Sequence, residues 1–206
     1  MTEAVDDAPV TISLHTGLPE LSDGDRRRLS RVARQALLVH LGAARSPDLE
    51  DEPWPAALLE PRATFVTLRE AASGTLRGCR GEIRPSRPLV ESVREMAVAS
   101  ATGDPRFEPV RAAELDALTV DISVLGELHP IDAADVEVGR HGLMIVRGYR
   151  SGLLLPSVPV ALGWDREAFL DGLCTKAGLP GSAWRQPDAE LLAFETVSWG
   201  ESTAGG

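Results

Sequence analysis

The chain has 206 residues, 43% of them hydrophobic, enough for one folded domain with a sizeable core and too apolar for a disordered chain. With 31 acidic against 21 basic residues the net charge is −10, so the phosphate neutralisation that drives duplex binding is missing and no nucleic-acid role is expected. No run of about 18 apolar residues suits a bilayer span, and Met1 to Pro9 lacks the apolar core of a secretion signal, so a cytoplasmic protein is expected.

Residues 10–16 read as a short strand or extended arm. Ser22 can cap a helix running to about Gly42, whose apolar face is Leu29, Val32, Ala33, Ala36, Leu37 and Leu41. His40 falls beside that face and reads as a boundary residue near the helix C-terminus. Pro47, Pro53, Pro55 and Pro61 make residues 45–61 a surface loop. Ala63 to Glu70 and Thr75 to Ile83 form a hairpin around Ala72-Ser73-Gly74.

Pro88 suits the first position of a second helix, with Leu89, Val93, Met96, Ala97 and Ser100 on one face and Gly103-Asp104-Pro105 as its stop. Glu114 to Ala117 is a turn into a clear strand, in which Val120, Ile122 and Val124 alternate with Thr119, Asp121 and Ser123. His141 to Arg147 and Gly152 to Pro156 form a second hairpin across Gly148-Tyr149-Arg150-Ser151. Asp165 caps a helix to Ala177 with Phe169, Leu170, Leu173, Cys174 and Ala177 on its apolar face, and Leu191 to Trp199 is a final strand. Hairpin spacings dominate, so the fold class is α+β: an antiparallel or mixed central sheet packed with helices. The organisation expected is an arm over 1–21, one domain over 22–199 and a flexible tail over 200–206.

The densest chemistry lies in Leu76-Arg77-Gly78-Cys79-Arg80-Gly81. On a strand, Arg77, Cys79 and Gly81 share one face. The glycines allow close approach of a ligand or of another backbone, and Arg77 would favour a thiolate at Cys79 by Coulomb attraction. The plain alternative is a buried cysteine in a bent strand. His141, at the head of a strand, is the candidate base for Cys79; such a pair needs side chains about 3 to 4 Å apart. Arg106, in the turn Asp104-Pro105-Arg106-Phe107, could hold an anion, and Ser123 could line a cleft. Cys174 sits on an apolar helical stripe and reads as core.

Histidines at 15, 40, 129 and 141 have no zinc-ligand spacing and no Cys-x-x-Cys occurs, so no metal site is expected and no cofactor is indicated. Phosphate-loop, dinucleotide, nucleophile-elbow and H-E-x-x-H patterns are all missing.

Several segments, in order, resemble the AMMECR family. Leu76-Arg77-Gly78-Cys79-Arg80-Gly81 is similar to its hallmark L-R-G-C-I-G. The run Asp104 to Val110, then Asp121-Ile122-Ser123-Val124-Leu125, His141-Gly142-Leu143, Gly152 to Pro156, Gly163-Trp164-Asp165 and Cys174 to Leu179 resemble its later blocks. The likeness covers about residues 25–197. It implies a central antiparallel sheet with a smaller β subdomain. It also implies kinship with protein A of the AmmeMemoRadiSam system, whose partners would be a Memo-like protein and a radical-SAM protein. Two positions depart: Arg80 stands where the hallmark is apolar, and Ser157-Val158-Pro159-Val160-Ala161 stands where the family has Q-V-A-V-E. Two functional readings follow, an enzyme component using a Cys79 cleft, and a non-catalytic partner or scaffold of the same system.

Overall fold

The computed structural model describes residues 17–43 and 53–201; the arm expected at 10–16 lies outside the described residues. Ser22 opens helix α1, Asp23–His40, through a reciprocal cap: its hydroxyl accepts from the Asp25 N–H, and the Asp25 carboxylate accepts from the Ser22 N–H. Leu29, Val32, Ala33 and Leu37 are its buried stripe, as the period requires, and His40 is exposed at its end. A single turn, α2 (Ala56–Leu59), interrupts the proline-rich loop and buries Leu58.

The first hairpin is β1 (Thr64–Glu70) and β2 (Leu76–Glu82). Helix α3, Leu89–Thr102, follows. Pro88 is its N-cap in extended geometry rather than its first helical residue, because Pro88 still bridges Pro61 as strand-like backbone. A 3₁₀ turn, Ala112–Ala117, leads into β3, Leu118–Leu125. Then come β4 (His129–Pro130), β5 (Gly142–Arg147), β6 (Arg150–Leu154), α4 (Ser157–Leu162), α5 (Arg166–Lys176), β7 (Glu190–Phe194) and β8 (Thr196–Gly200). The Asp165 carboxylate caps α5 by accepting from the Ala168 N–H.

The strands form two four-stranded antiparallel sheets, ordered β2-β1-β3-β8 and β4-β7-β5-β6. The α+β class holds. The second sheet with α5 is the expected β subdomain. The final run Leu191 to Trp199 is two strands in different sheets, not one. No Gly or Pro interrupts Leu191 to Trp199, so no turn residue marks the change of sheet. The crossing is pinned where the Gly126 N–H donates to the Glu195 carbonyl at 2.9 Å, joining both chain passages between the sheets.

Helices α1 and α3 cover one face of the first sheet, burying Val66, Leu68, Val120, Ile122 and Val124. Helix α5 covers the second sheet through Phe169, Leu173 and Cys174 against Leu143, Ile145 and Ala193. A third cluster, Ala63, Leu125 and Phe194 with Phe65, Leu153 and Leu155, joins the two lobes. Glu201, within the tail expected over 200–206, pairs with Arg34 and accepts from the Val120 N–H.

α3 lies unusually near the backbone of β2. A Cβ at Gly78 would stand 2.1 Å from the Ser100 carbonyl oxygen. The buried Ser100 hydroxyl accepts from the Arg80 N–H at 3.0 Å and lies 2.7 Å from the Val66 carbonyl, so it stands between the two strands. Backbone cannot yield as a side chain can, so Gly78→Ala should destabilise the protein by on the order of 3 kcal/mol in urea unfolding. Gly74→Ala is the control. Its site is open but has φ +70°, so its cost should be about 1 kcal/mol, from the left-handed conformation alone.

Candidate functional site

The alternation of β1 sends Phe65 and Thr67 to the face that the helices leave uncovered. Register places Thr67 between Cys79 on β2 and Asp121 on β3, and Phe65 between Gly81 and Ser123. Cys79 and Ser123 therefore share the open face of the first sheet, both half-buried. The Thr67 hydroxyl lies 3.3 Å from the Cys79 sulfur, Arg69 pairs with Asp121 at 3.0 Å, and the Ser198 hydroxyl bonds the Ser123 hydroxyl at 2.9 Å. Toward the second lobe the face becomes apolar. A Cβ at Gly81 would meet the Phe65 ring at 2.2 Å, so that glycine makes room for a ring of the inter-lobe cluster.

Arg77 does not bond to the thiol. The β1–β2 register slips between Leu68 and Arg69, leaving Arg77 without a Cα partner, and such a bulge re-aims a side chain. Its guanidinium bonds the Glu114 carboxylate at 3.1 Å and the Glu108 carbonyl at 2.9 Å. Glu114 is in turn held below the ordinary carboxylate range, first by the Arg111 N–H and then by Arg77.

The arginine beside Cys79 is Arg106, delivered by Asp104. Asp104 follows α3, and its side chain is only 3% exposed. One carboxylate oxygen accepts from the Cys79 N–H at 2.9 Å and from Arg106 Nη2 at 2.6 Å. The other accepts from Arg106 Nε at 2.9 Å and from the Arg106 N–H at 3.1 Å. This is a two-pronged carboxylate–guanidinium pair whose carboxylate is buried and whose guanidinium is half-exposed. The Arg106 hydrogen bonds, helped by the two backbone amides, hold the Asp104 carboxyl well below the usual carboxylate range against the opposing effect of burial. Arg106 is raised, chiefly by Asp104, and Cys79 adds a weaker attraction. Arg106 Nη1 bonds no protein group among the described residues, and its guanidinium is stacked 5.4 Å from the Phe107 ring centroid.

His141 lies on the other lobe, at the head of β5, and is 7% exposed. Its Nδ1 accepts from the Glu137 N–H at 3.1 Å, and no hydrogen bond joins it to Cys79. Cys174 is fully buried, and burial pushes its thiol up from the ordinary value. No group of three or more His, Cys, Asp or Glu residues among the described residues could hold a metal ion. No helix among them is long and apolar enough to cross a membrane.

The hallmark strand, its Asp-Pro-Arg-Phe partner and the second lobe thus occur together in one architecture. The family model for AMMECR1 matches residues 30–199. The chain belongs to the AMMECR1 family. It is 42% identical over 175 residues to Protein MK0488 of Methanopyrus kandleri, covering 81% of this chain and 84% of that one. A protein of Aeropyrum pernix is 44% identical over 191 residues, covering 89% and 81%. The crystal structure of the uncharacterized protein PH0010 from Pyrococcus horikoshii superposes with a TM-score of 0.78 at 39% identity, covering 84% of this chain and 90% of that chain.

Sequence reasoning about this AMMECR1 domain missed Asp104 as the organiser of the site, since the Asp-Pro pair reads as a self-bonded turn. Thr67 was missed as well, and hairpin register was the signal that could have found it, because it sits opposite Cys79. The depressed Asp104 carboxyl carries a stability consequence. A carboxylate depressed on folding stabilises fully above its unfolded value of about 3.9 and loses that contribution as pH falls through the folded value. The stability gap between wild type and Asp104→Asn should therefore be full near pH 6 and shrink steadily below about pH 4, as followed by thermal unfolding at each pH.

Proposed function

We propose that the open face at Cys79 is a ligand-binding cleft and that this AMMECR1 domain is an enzyme component acting there. Cys79 is the reacting or contacting thiol, Arg106 the contact for an anionic group such as a carboxylate or phosphate, and Ser123 a polar contact further along the same face. The observation that carries this reading is the Asp104 clamp. A buried carboxylate fixes the Cys79 backbone and the Arg106 guanidinium together and leaves Arg106 Nη1 unbound. Arg77 is engaged by Glu114 and the Glu108 carbonyl, so the anion contact in this reading falls to Arg106. In this reading the protein works in the cytoplasm within an AmmeMemoRadiSam system, with a Memo-like and a radical-SAM protein as partners; the likeness of its motif blocks to protein A of that system supports it.

A second reading, a non-catalytic partner or scaffold of that system, rests on α4. Ala161 stands there where the family has glutamate, and the same helix presents Val160 at 60% and Leu162 at 56% exposure.

Alkylation separates the readings. With a cleft, iodoacetamide modifies Cys79 in the folded protein, and Cys174 only after unfolding, because Cys174 is sealed and its thiolate disfavoured. With Arg106 as the anion contact, iodoacetate should gain on iodoacetamide at Cys79 by several-fold relative to a small free thiol, and Arg106→Gln should abolish that gain. A Cys79 as inert as Cys174, with Cys79→Ala costing about 2 kcal/mol or more, would mark the hallmark as packing and leave the scaffold reading.

A further inference from the structure

We infer that His141 is a neutral hydrogen-bond donor, presenting Nε2–H to an oxygen of a ligand, and not a base toward Cys79. The inference is independent of the Cys79 reading. The turn from Glu137 to His141 closes on itself twice. The His141 N–H donates to the Glu137 carbonyl at 3.0 Å, and the Glu137 N–H donates to His141 Nδ1 at 3.1 Å. A backbone N–H can only donate, so Nδ1 keeps its lone pair and the neutral ring carries its proton on Nε2. A histidine that is to take a proton on Nε2 needs the opposite tautomer, with Nδ1–H held by a carbonyl or carboxylate.

The surrounding charges agree. The Glu137 carboxylate is taken by Arg140 at 3.0 Å, and Glu195 by the same arginine at 2.8 Å. Neither carboxylate bonds the ring. Protonation of Nδ1 would in addition break the bond from Glu137.

The ring is 7% exposed, yet Nε2 is not among the sealed polar atoms that lack a partner, and no protein group among the described residues bonds it. A nearly buried side chain therefore offers one polar atom at the surface, and that atom is a donor. Its complement is a lone-pair oxygen: carboxylate, phosphate or carbonyl.

The test is long-range proton–nitrogen NMR on the ¹⁵N-labelled full chain, with His141→Asn for assignment. The expected result near pH 7.5 is the Nε2–H tautomer, with a His141 signal that shifts saturably on adding inorganic phosphate and not on adding potassium chloride at equal ionic strength. Asn at 141 retains an acceptor oxygen for the Glu137 N–H, so it should melt near wild type. In that variant the phosphate response of the Glu137 and Arg140 amides should weaken at least tenfold. An Nδ1–H tautomer, an imidazolium at that pH, or a ring indifferent to phosphate would overturn the inference, and the first readout needs only the wild-type protein.

Discussion

The buried carboxylate of Asp104 is the constraint on which the candidate site depends. It sits just past the end of α3 and reaches 25 residues back in the chain to the Cys79 amide of an edge strand. An edge strand leaves every second N–H without a ladder partner, and a charged acceptor meets that need more strongly than water does. The same carboxylate takes Arg106 in two prongs, so one buried negative charge positions the hallmark backbone and a positive side chain together. Buried charge is tolerated there because all of its acceptor directions are used.

That arrangement needs α3 to lie almost on the strand, and the two glycines around Cys79 divide the work. Gly78 faces the helix and admits the Ser100 carbonyl; Gly81 faces the open side and admits the Phe65 ring. One glycine thus fastens the strand to the core of the first lobe, and the other makes room for a residue of the joint between lobes. Cys79 lies between these two fixed points, on a face that has a polar row at Thr67 and Asp121 and an apolar end at the joint. The second lobe brings its own core and the His141 turn to the other side of that joint.

Much of this fold was legible from local pattern. The Ser22 cap and the stripe of α1, the first hairpin, the alternation of β3 and the Asp165 cap of α5 are decided by neighbours within a few residues. The break at Glu195 was not legible, because no Gly or Pro separates the two strands. Helix α4 was hidden by Pro159, which a short helix accommodates within its first turn. At the site, the sequence pointed to Cys79 and its glycines. Strict alternation also put Arg77 beside the thiol, and a bulge with a pull from Glu114 sends it elsewhere. Arg106 took that place through Asp104, a contact between segments far apart in the chain that no periodicity records.

Membership of the AMMECR1 family gives the fold and the hallmark; the clamp gives the hallmark a physical role. The most direct test of that role is amide hydrogen exchange at Cys79, an edge-strand N–H held by Asp104. The account predicts slow exchange in the wild type and a selective acceleration of the Cys79 amide in Asp104→Ala, while the Val66, Leu68 and Ile122 amides of the sheet interior keep their protection. Fast exchange at Cys79 in the wild type, or protection unchanged by loss of the carboxylate, would contradict it.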